Sequence, residues 1–241
     1  MIGVMARVLI LAGGLGSRMA PYTAVLPKPL MPLGQSTIIE HLIDSLLEQA
    51  FFDITISIGH LGYLIRAVVD SRYGVSDKIQ FIEEEEPLGT AGPLRLLDRV
   101  NAKEHVVVIN GDTLTNFQYS DALSNAMGNS SDALIVCTRR QHPVDFGVLE
   151  VSKDGVLQSI IEKPTLEYLV STGINLVTGL AINENLEAGR VDMPDFLRNI
   201  KSAGKNVTCL ETNAIWYDLG RPDDLAKANS LGFILDRENN C

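Results

Sequence analysis

Residues 7–34 read RVLILAGGLGSRMAPYTAVLPKPLMPLG. The continuous apolar run at 7–12 predicts a strand buried on both faces, as in a parallel sheet. Glycines follow at once, and about twenty residues with four prolines precede the next helical pattern, where an ordinary connection has roughly two to six. Because ligands bind outside the carboxyl ends of strands in open α/β sheets, we expect this long, stiff loop to border the ligand crevice.

The rest of the chain alternates strand and helix patterns. Strands are predicted at 53–59, 78–84 and 105–112, and helices at 37–50, 61–74 and 90–100. Thr37 and Glu40 form a capping-box pattern at the start of the first helix. The second half is richer in strands, predicted at 133–138, 147–151, 156–162, 173–182, 206–211 and 214–218, with a hairpin turn at 152–155 and a last helix at 222–233. The pattern predicts a single α/β domain: a Rossmann-like open mixed, mostly parallel sheet flanked by helices, with a small antiparallel part.

Composition narrows the function classes. The chain has 241 residues, 46% of them hydrophobic, and a net charge of −10, which is typical of a soluble globular protein. The acidic balance argues against a nucleic-acid surface, and no apolar run has the length of a membrane span. The N-terminus lacks a signal-peptide layout. Cys137, Cys209 and Cys241 have no close spacing, so we expect the first two to be reduced core residues of a cytoplasmic protein.

The glycine loop fits neither of the two commonest phosphate-loop motifs. It contains no Gly-Lys pair, which excludes a Walker A loop, and Met19 stands where a dinucleotide-binding fingerprint needs its third glycine. Gly13, Gly14 and Gly16 still allow a triphosphate to approach backbone N–H groups closely. Arg18 adds a planar guanidinium and Lys28 a point charge held between two prolines. The sequence therefore predicts a phosphate site.

The acidic run at 83–86 is a weaker candidate. Four carboxylates beside a triphosphate would repel it, and neighbouring residues of a strand point to opposite faces. We expect a solvated edge from which one carboxylate can turn inward.

The whole pattern LAGG-x-G-S-R-x-x-P-x-T-x-x-x-PKPL-x-P at 11–32 resembles the signature of the sugar-1-phosphate nucleotidyltransferases, also called nucleotide-sugar pyrophosphorylases. Further blocks follow in the family's order: PLGTAGPL at 87–94, NGD at 110–112, FGV at 146–148, EKP at 162–164 and WYDLGRP at 216–222. The resemblance implies the nucleotide-diphospho-sugar transferase fold, one nucleotidyltransferase domain over 1–241, an NTP-binding half over about 1–130 and a sugar-phosphate-binding half over about 131–241.

The resemblance also implies a reaction, in which an NTP and a sugar 1-phosphate give an NDP-sugar and pyrophosphate with Mg²⁺ as cofactor. Since the sugar phosphate is itself the nucleophile, catalysis needs positioning and charge neutralisation. The implied catalytic residues are Arg18, Lys28, Asp112 and Lys163, and the implied metal ligands are Asp112 and Asp218. The implied NTP-binding residues are Leu11, Ala12, Gly13, Gly14, Gly16, Ser17, Arg18, Leu88, Gly89, Thr90, Ala91 and Gly111. The implied sugar-phosphate-binding residues are Gly147, Glu162, Lys163, Ser171, Thr172 and Asn175.

Two features bear on the substrates. The GTAG form at 89–92 resembles guanylyltransferases for mannose and heptose 1-phosphates, so GTP is the expected NTP; thymidylyl or uridylyl transfer to glucose 1-phosphate or a related sugar is the alternative. Ser171 and Asn175 depart from the family's Asn-Ala-Gly-Ile-aromatic string, which leaves the sugar open. A catalytically silent nucleotide-sugar-binding regulator is the alternative of another class, although all the charged site residues are present. A homodimer is one assembly that fits, and no contact with nucleic acid or membrane is expected.

Overall fold

The computed structural model describes residues 6–220 and 222–230. Its strands are β1 Ala6–Ala12, β2 Pro32–Leu33, β3 Ser36–Thr37, β4 Ile54–Ile58, β5 Ile79–Glu83, β6 His105–Asn110, β7 Thr113–Thr115, β8 Ala133–Pro143, β9 Val148–Val151, β10 Leu157–Ile161, β11 Thr165–Thr178, β12 Val207–Glu211 and β13 Trp216–Asp218. Its helices are α1 Ile38–Glu48, α2 Gly62–Tyr73, α3 Tyr119–Gly128, α4 Gly179–Asn185, α5 Met193–Ser202 and α6 Pro222–Ser230. Cys241 and the last three residues of the predicted helix at 222–233 lie outside the described residues.

Seven strands form one mixed sheet in the order β12-β8-β11-β6-β1-β4-β5. β11 runs antiparallel to both of its neighbours, whereas the other adjacent pairs are parallel. The central strands β1, β4 and β6 are almost wholly buried because helices cover both faces of the sheet. The predicted mostly parallel α/β architecture is confirmed, and the carboxyl ends of β1, β4, β5 and β6 meet at one edge.

Two apolar layers hold the helices to the sheet. On one face, α1, α2 and α3 contribute side chains such as Ile43, Val69 and Leu123. On the other face, α4 and α5 contribute Ala181, Phe196 and Ile200. The predicted capping box at the start of α1 is confirmed: Glu40 N–H donates to the Thr37 hydroxyl at 3.4 Å, and Thr37 N–H donates to the Glu40 carboxylate at 2.7 Å.

The long loop after β1 is ordered by short 3-10 turns at Ser17–Met19, Tyr22–Ala24 and Lys28–Leu30. Below it, Met19, Met31 and Leu33 pack with Leu114 and Leu219 in a third apolar cluster. The loop is therefore anchored by its own core and is fixed in place beside the end of β6.

The second half departs from the sequence prediction in several elements. The strand predicted at 173–182 is β11, which begins at Thr165 and gives way to α4 at Gly179. The helix predicted at 90–100 is only a 3-10 turn, Gly92–Leu96, and helices α3 and α5 were not predicted. The 152–155 turn does join a hairpin, β9–β10, which forms a separate two-stranded sheet.

The two described cysteines are both free thiols, but only Cys137 is buried. Burial, together with the neighbouring Cys209, raises the pKa of the Cys137 thiol. The expectation that Cys209 is a core residue is wrong, because it lies on the edge strand β12, where its side chain is exposed. Among residues 6–220 and 222–230, no helix has both the length and the hydropathy to cross a membrane.

Candidate active site

A cavity of about 460 Å³ lies at the carboxyl edge of the central strands. The glycine loop forms one wall, the segment 84–90 forms another, and the turn after β6 forms the floor. Gly111 N–H donates to the Leu11 carbonyl at 2.9 Å, which ties the turn after β6 to the end of β1. The residues that line the cavity are Leu11, Ala12, Gly13, Gly14, Leu15, Gly16, Ser17, Arg18, Lys28, Pro29, Glu84, Pro87, Gly89, Thr90, Asn110, Gly111, Asp112, Arg190, Asp192 and Gly220.

The glycine loop presents backbone rather than side chains to the cavity. Gly16 has φ +61°, a conformation that favours glycine, and a Cβ there would lie 2.8 Å from the Thr23 side chain. Around Gly14 there is open space, since a Cβ added to it would meet nothing within 4 Å. Arg18 follows on an exposed 3-10 turn, and no described carboxylate forms an ion pair with it. Its guanidinium can therefore bind an anion in the cavity.

Lys28 is the buried cation of the site. It is only 8% exposed, and its ammonium donates a hydrogen bond to the Asp112 carboxylate and lies 3.8 Å from Asp218 Oδ1. The two aspartates meet because β13 pairs with β7, which sets Asp218 opposite Thr113. Two strand ends and a proline-bounded turn thus gather one positive and two negative groups, of which Lys28 and Asp112 line the cavity.

Glu84 is the inward-turned member of the acidic run. Its carboxylate accepts hydrogen bonds from the Ser57 hydroxyl at 2.6 Å and from Leu88 N–H at 3.1 Å. A Cβ on Gly13 would lie 2.5 Å from Glu84 Oε1, so the carboxylate closes against the glycine loop. Glu83, Glu85 and Glu86 are exposed, and Glu83 pairs with Arg66 at 2.9 Å. The expectation of a solvated edge with one carboxylate turned inward is confirmed.

The segment 87–92 is hydrogen-bonded to the residues at the start of α5. Thr90 N–H donates to Asp192 Oδ1 at 3.2 Å, and its hydroxyl accepts from Met193 N–H at 2.7 Å. Gly89 has φ +79°, and a Cβ there would lie 2.5 Å from the Val191 carbonyl oxygen. The Arg95 side chain donates hydrogen bonds to two backbone carbonyls shortly before α5, those of Glu187 and Gly189. The segment 87–92 and residues 187–193 therefore form one hydrogen-bonded unit beside the cavity.

The predicted sugar side lies on β11 and the β9–β10 hairpin. A Cβ on Gly147 would lie 2.9 Å from Glu162 Oε2, so these two residues face each other. Lys163 follows with φ +46°, a conformation that non-glycine residues rarely adopt. This region is connected to the aspartates, because Trp216 Nε1 donates to the Thr172 carbonyl at 2.7 Å and a Cβ on Gly173 would lie 2.5 Å from Asn110 Nδ2.

The predicted residues differ in whether they line the cavity. Three predicted catalytic residues line the cavity, namely Arg18, Lys28 and Asp112, whereas Lys163 is exposed in the short connection between β10 and β11. Ten predicted NTP contacts line the cavity; Leu88 and Ala91 do not, and Ala91 is fully buried. Asp218 is not on the lining, although its Oδ1 lies 3.8 Å from the Lys28 ammonium.

Two predicted sugar contacts are covered. Thr172 is 2% exposed and its hydroxyl donates to the Val136 carbonyl at 2.9 Å. Asn175 is 5% exposed, and its Oδ1 has no hydrogen-bond partner among the described residues. In these positions neither side chain is exposed enough to contact a sugar, because both are buried where the pairing of β11 with β8 is irregular. Ser171, in contrast, is exposed and remains available.

Arg190 and Asp192 are cavity residues that the sequence analysis missed. They lie about a hundred residues after the glycine-rich segment 87–92, so no local motif joins them to it. A helix-start signal was present, since Asp192 is the N-cap residue of α5 and a proline occupies its first turn. This signal predicts the start of α5, but it does not predict the hydrogen bonds between Thr90 and the residues Asp192 and Met193.

Comparison with known proteins identifies the family. The nucleotidyl transferase family model matches residues 7–232. The chain belongs to this family. A mannose-1-phosphate guanyltransferase of Pichia angusta is 30% identical over 233 residues, which cover 92% of this chain and 63% of the relative. The chain thus spans less than two thirds of the length of the curated relatives it matches.

Solved structures of the family share the fold. HddC from Yersinia pseudotuberculosis, crystallised with GMP-PN, is 25% identical with a TM-score of 0.69 and covers 94% of this chain and 99% of its own. A putative glucose-1-phosphate thymidylyltransferase from Bacillus anthracis, crystallised with sucrose, is 27% identical with a TM-score of 0.71 and covers 94% of each chain. The relatives therefore include proteins named for two different nucleotides.

Proposed function

We propose that this protein transfers the guanylyl group of GTP to a sugar 1-phosphate of the mannose or heptose type, releasing pyrophosphate. The observation that carries the proposal is the buried Lys28 ammonium, which pairs with Asp112 and Asp218 and lines a cavity walled by a glycine loop. The family relationship supports the same reaction class. A cytoplasmic location and a homodimer are proposed with it, and neither nucleic acid nor membrane is required.

The reaction needs charge neutralisation more than a protein nucleophile. An oxygen of the sugar phosphate attacks the α-phosphorus of GTP, and the bond to the bridging oxygen of pyrophosphate breaks. Backbone N–H groups of the glycine loop suit the β- and γ-phosphates, and so does the Arg18 guanidinium, which forms no ion pair within residues 6–220 and 222–230. Lys28 suits the reacting α-phosphate, and Lys163 suits the incoming phosphate from the sugar side. These cations reduce the repulsion between two anionic reactants.

The residues present fit a magnesium ion. Asp112 and Asp218 already hold a cation between them, the Lys28 ammonium, and carboxylate oxygens are the ligands that Mg²⁺ prefers. Among the described residues no cluster of three or more His, Cys, Asp or Glu could hold a metal, which suits an ion that takes its other ligands from phosphates and water. When bound, Mg²⁺ would neutralise phosphate charge. Asp112 and Asp218 would hold it, and Lys28 would then be free to face the nucleotide.

Glu84 supports guanine as the base. A carboxylate only accepts hydrogen bonds, and two of its acceptor positions are taken by Ser57 and Leu88. The Watson–Crick edge of guanine offers adjacent N1–H and N2–H donors to the remaining positions. Uracil and thymine offer a single N3–H between two carbonyl oxygens, which a carboxylate would repel. The end of the cavity that holds Glu84 therefore favours GTP.

The test is a matrix of five NTPs against a panel of sugar 1-phosphates, with pyrophosphate release as the readout. We expect release only when GTP and a mannose- or heptose-type sugar 1-phosphate are both present. Turnover with dTTP or UTP and glucose 1-phosphate instead would support the alternative substrates. Binding of nucleotides without turnover in any combination would show a silent regulator and overturn the proposal.

The base assignment has its own test. Glu84→Gln adds an amide donor that can pair with a pyrimidine carbonyl, so we expect the kcat/KM ratio of GTP to UTP to fall by about 10- to 100-fold, the effect of one to two hydrogen bonds. Glu85→Gln is the matched control, because Glu85 is an exposed neighbour, and it should leave the ratio unchanged. An unchanged ratio in the Glu84 variant would contradict the assignment.

A further inference from the structure

The hairpin arm, residues 139–170, carries an unusual concentration of exposed apolar side chains. Not one residue of this arm is buried. Its large exposed hydrophobic residues are Phe146, Leu149, Val151, Val156, Leu157, Ile160, Ile161, Tyr168 and Leu169. Large contiguous apolar patches are rare on monomers, and a two-stranded sheet without a core of its own is marginal in water.

A β-bulge gathers four of these side chains on one face. Leu149 pairs with Ile160 and Val151 with Leu157, while the register shifts between Leu157 and Ser159. Leu149 and Val151 are two residues apart and so point to the same side of β9. Without the bulge, Leu157 and Ile160 would point to opposite sides, because they are three residues apart. We define these four residues, each 56–62% exposed, as the hairpin face.

We propose that the hairpin face is the contact by which two copies of this chain associate. Each of its side chains offers about 100 Å² of apolar surface, or about 400 Å² for the face. Interfaces are about 60% apolar, so this face matches one of about 700 Å² per partner and about 1,400 Å² in total, which is enough for a stable dimer. A twofold axis through the face would bury the same residues on both copies.

Charge favours a second copy at this position. The chain carries a net charge of −10, so two copies repel each other over most of their surface. Residues 147–163 contain two lysines and three acidic residues, which leaves this hairpin with a net charge of −1. A partner that binds through opposite charge would have little net charge to contact on this hairpin. An identical, nearly neutral apolar face is instead self-complementary.

The arrangement would place the contact beside the sugar side of the active site. Gly147 immediately precedes β9 and Glu162 immediately follows β10, so the two adjacent residues lie at the end of the hairpin opposite its 152–155 turn. Association would therefore stabilise the strand that leads to Lys163. It adds a partner surface to the proposed function and does not depend on which nucleotide is used.

Analytical ultracentrifugation of the full chain between 1 and 100 µM tests the proposal. We expect a species of twice the 26.3 kDa chain mass. Leu149→Asp and Ile160→Asp should each raise the dimer Kd by at least about 100-fold, because a charge would be buried twice across the axis. Val75→Asp is the matched control, since Val75 is 92% exposed on the loop after α2, and it should leave the dimer intact.

Hydrogen exchange of the wild-type chain locates the contact without any substitution. Amides at 148–151 and 157–161 should become more protected as the concentration rises from 1 to 100 µM. A wild-type chain that is monomeric at 100 µM would overturn the proposal, whether or not another protein covers the face. A dimer that survives both hairpin substitutions, or one that protects other segments and not the hairpin, would overturn it as well.

Discussion

At the scale of single residues, Lys28 has the most demanding environment in the site. Burial of an ammonium is costly unless it is paired, and here Asp112 and Asp218 provide the pairing. The sequence already indicated a held cation, because prolines flank the lysine. It did not indicate that both aspartates would contact this cation, since they are separated from it by 84 and 190 positions and meet only through the β7–β13 pairing.

Replacement of Lys28 should therefore remove activity without unfolding the chain. Lys28→Met should lower kcat by about 100- to 1,000-fold, the effect of losing one preorganised group that stabilises transition-state charge. Pyrophosphate release measures the rate, and circular dichroism checks the fold. Lys103→Met, at an exposed lysine, should behave as the wild type. A Lys28 variant with wild-type kcat would remove this residue from the mechanism.

Tyr119 is a second residue whose surroundings make a definite prediction. It is fully buried between Phe51 and Phe117, its hydroxyl has no partner among the described residues, and burial raises the pKa of that phenol. Removal of an unsatisfied buried hydroxyl relieves a desolvation cost. Tyr119→Phe should therefore raise the free energy of unfolding by about 1 kcal/mol in urea titrations.

Tyr73→Phe provides the contrast for that measurement. The Tyr73 hydroxyl lies 2.8 Å from Asp44 Oδ1 and 3.1 Å from the Glu40 carbonyl oxygen, so it has partners to lose. This variant should be less stable than the wild type. If both phenylalanine variants lose stability, the Tyr119 hydroxyl has a hydrogen bond that the structure does not describe.

At the scale of elements, a helix or turn with a strong local sequence signal could be predicted. Elements that depend on contacts between distant segments could not. The capping box fixed the start of α1, and the turn at 152–155 fixed the β9–β10 hairpin. The 90–100 segment looked helical, but it forms only one 3-10 turn, and the N–H groups of Ala91 and Gly92 at its start donate to the distant Val191 carbonyl. α3 lacks a side-chain cap at Gln118, so nothing local marked its start. Half of β11 exists only because β8 extends to pair with it.

The capping box also allows an element-scale test. Thr37→Ala removes the acceptor for Glu40 N–H, so the free energy of unfolding should fall by about 1 kcal/mol. Thr37→Ser keeps the hydroxyl and should cost much less. Urea titrations of the three chains measure both effects. Equal loss in the two variants would mean that the Thr37 methyl group, rather than the cap, stabilises this end of α1.

At the scale of the whole molecule, the two halves share one sheet. β11, from the second half, pairs with β6, from the first, over five residue pairs from Ile174 to Thr178. Two independent domains would not be joined in this way, so the predicted single domain over 1–241 leads to a cooperative unfolding transition. The proposed nucleotide and sugar halves would then be two regions of binding residues and not separate folding units.

Unfolding of the chain should therefore look the same by different probes. The single tryptophan, Trp216, reports on the second half, and far-ultraviolet circular dichroism reports on the whole sheet. At one protein concentration, the two urea transitions should coincide in midpoint and slope. An earlier fluorescence transition would show that the second half opens on its own.

Hydrogen bonds join the segment around Thr90, a proposed nucleotide contact, to the residues at the start of α5. Thr90 and Asp192 are 102 positions apart, yet they share a hydrogen bond, and Gly89 lies against the Val191 carbonyl. In a chimera that receives only residues 84–92 from a relative, the new loop would face residues 187–193 of this chain, which do not come from the same relative. Because we propose that residues 84–92 contact the base, we expect that transfer of base choice between family members needs both segments to be exchanged together.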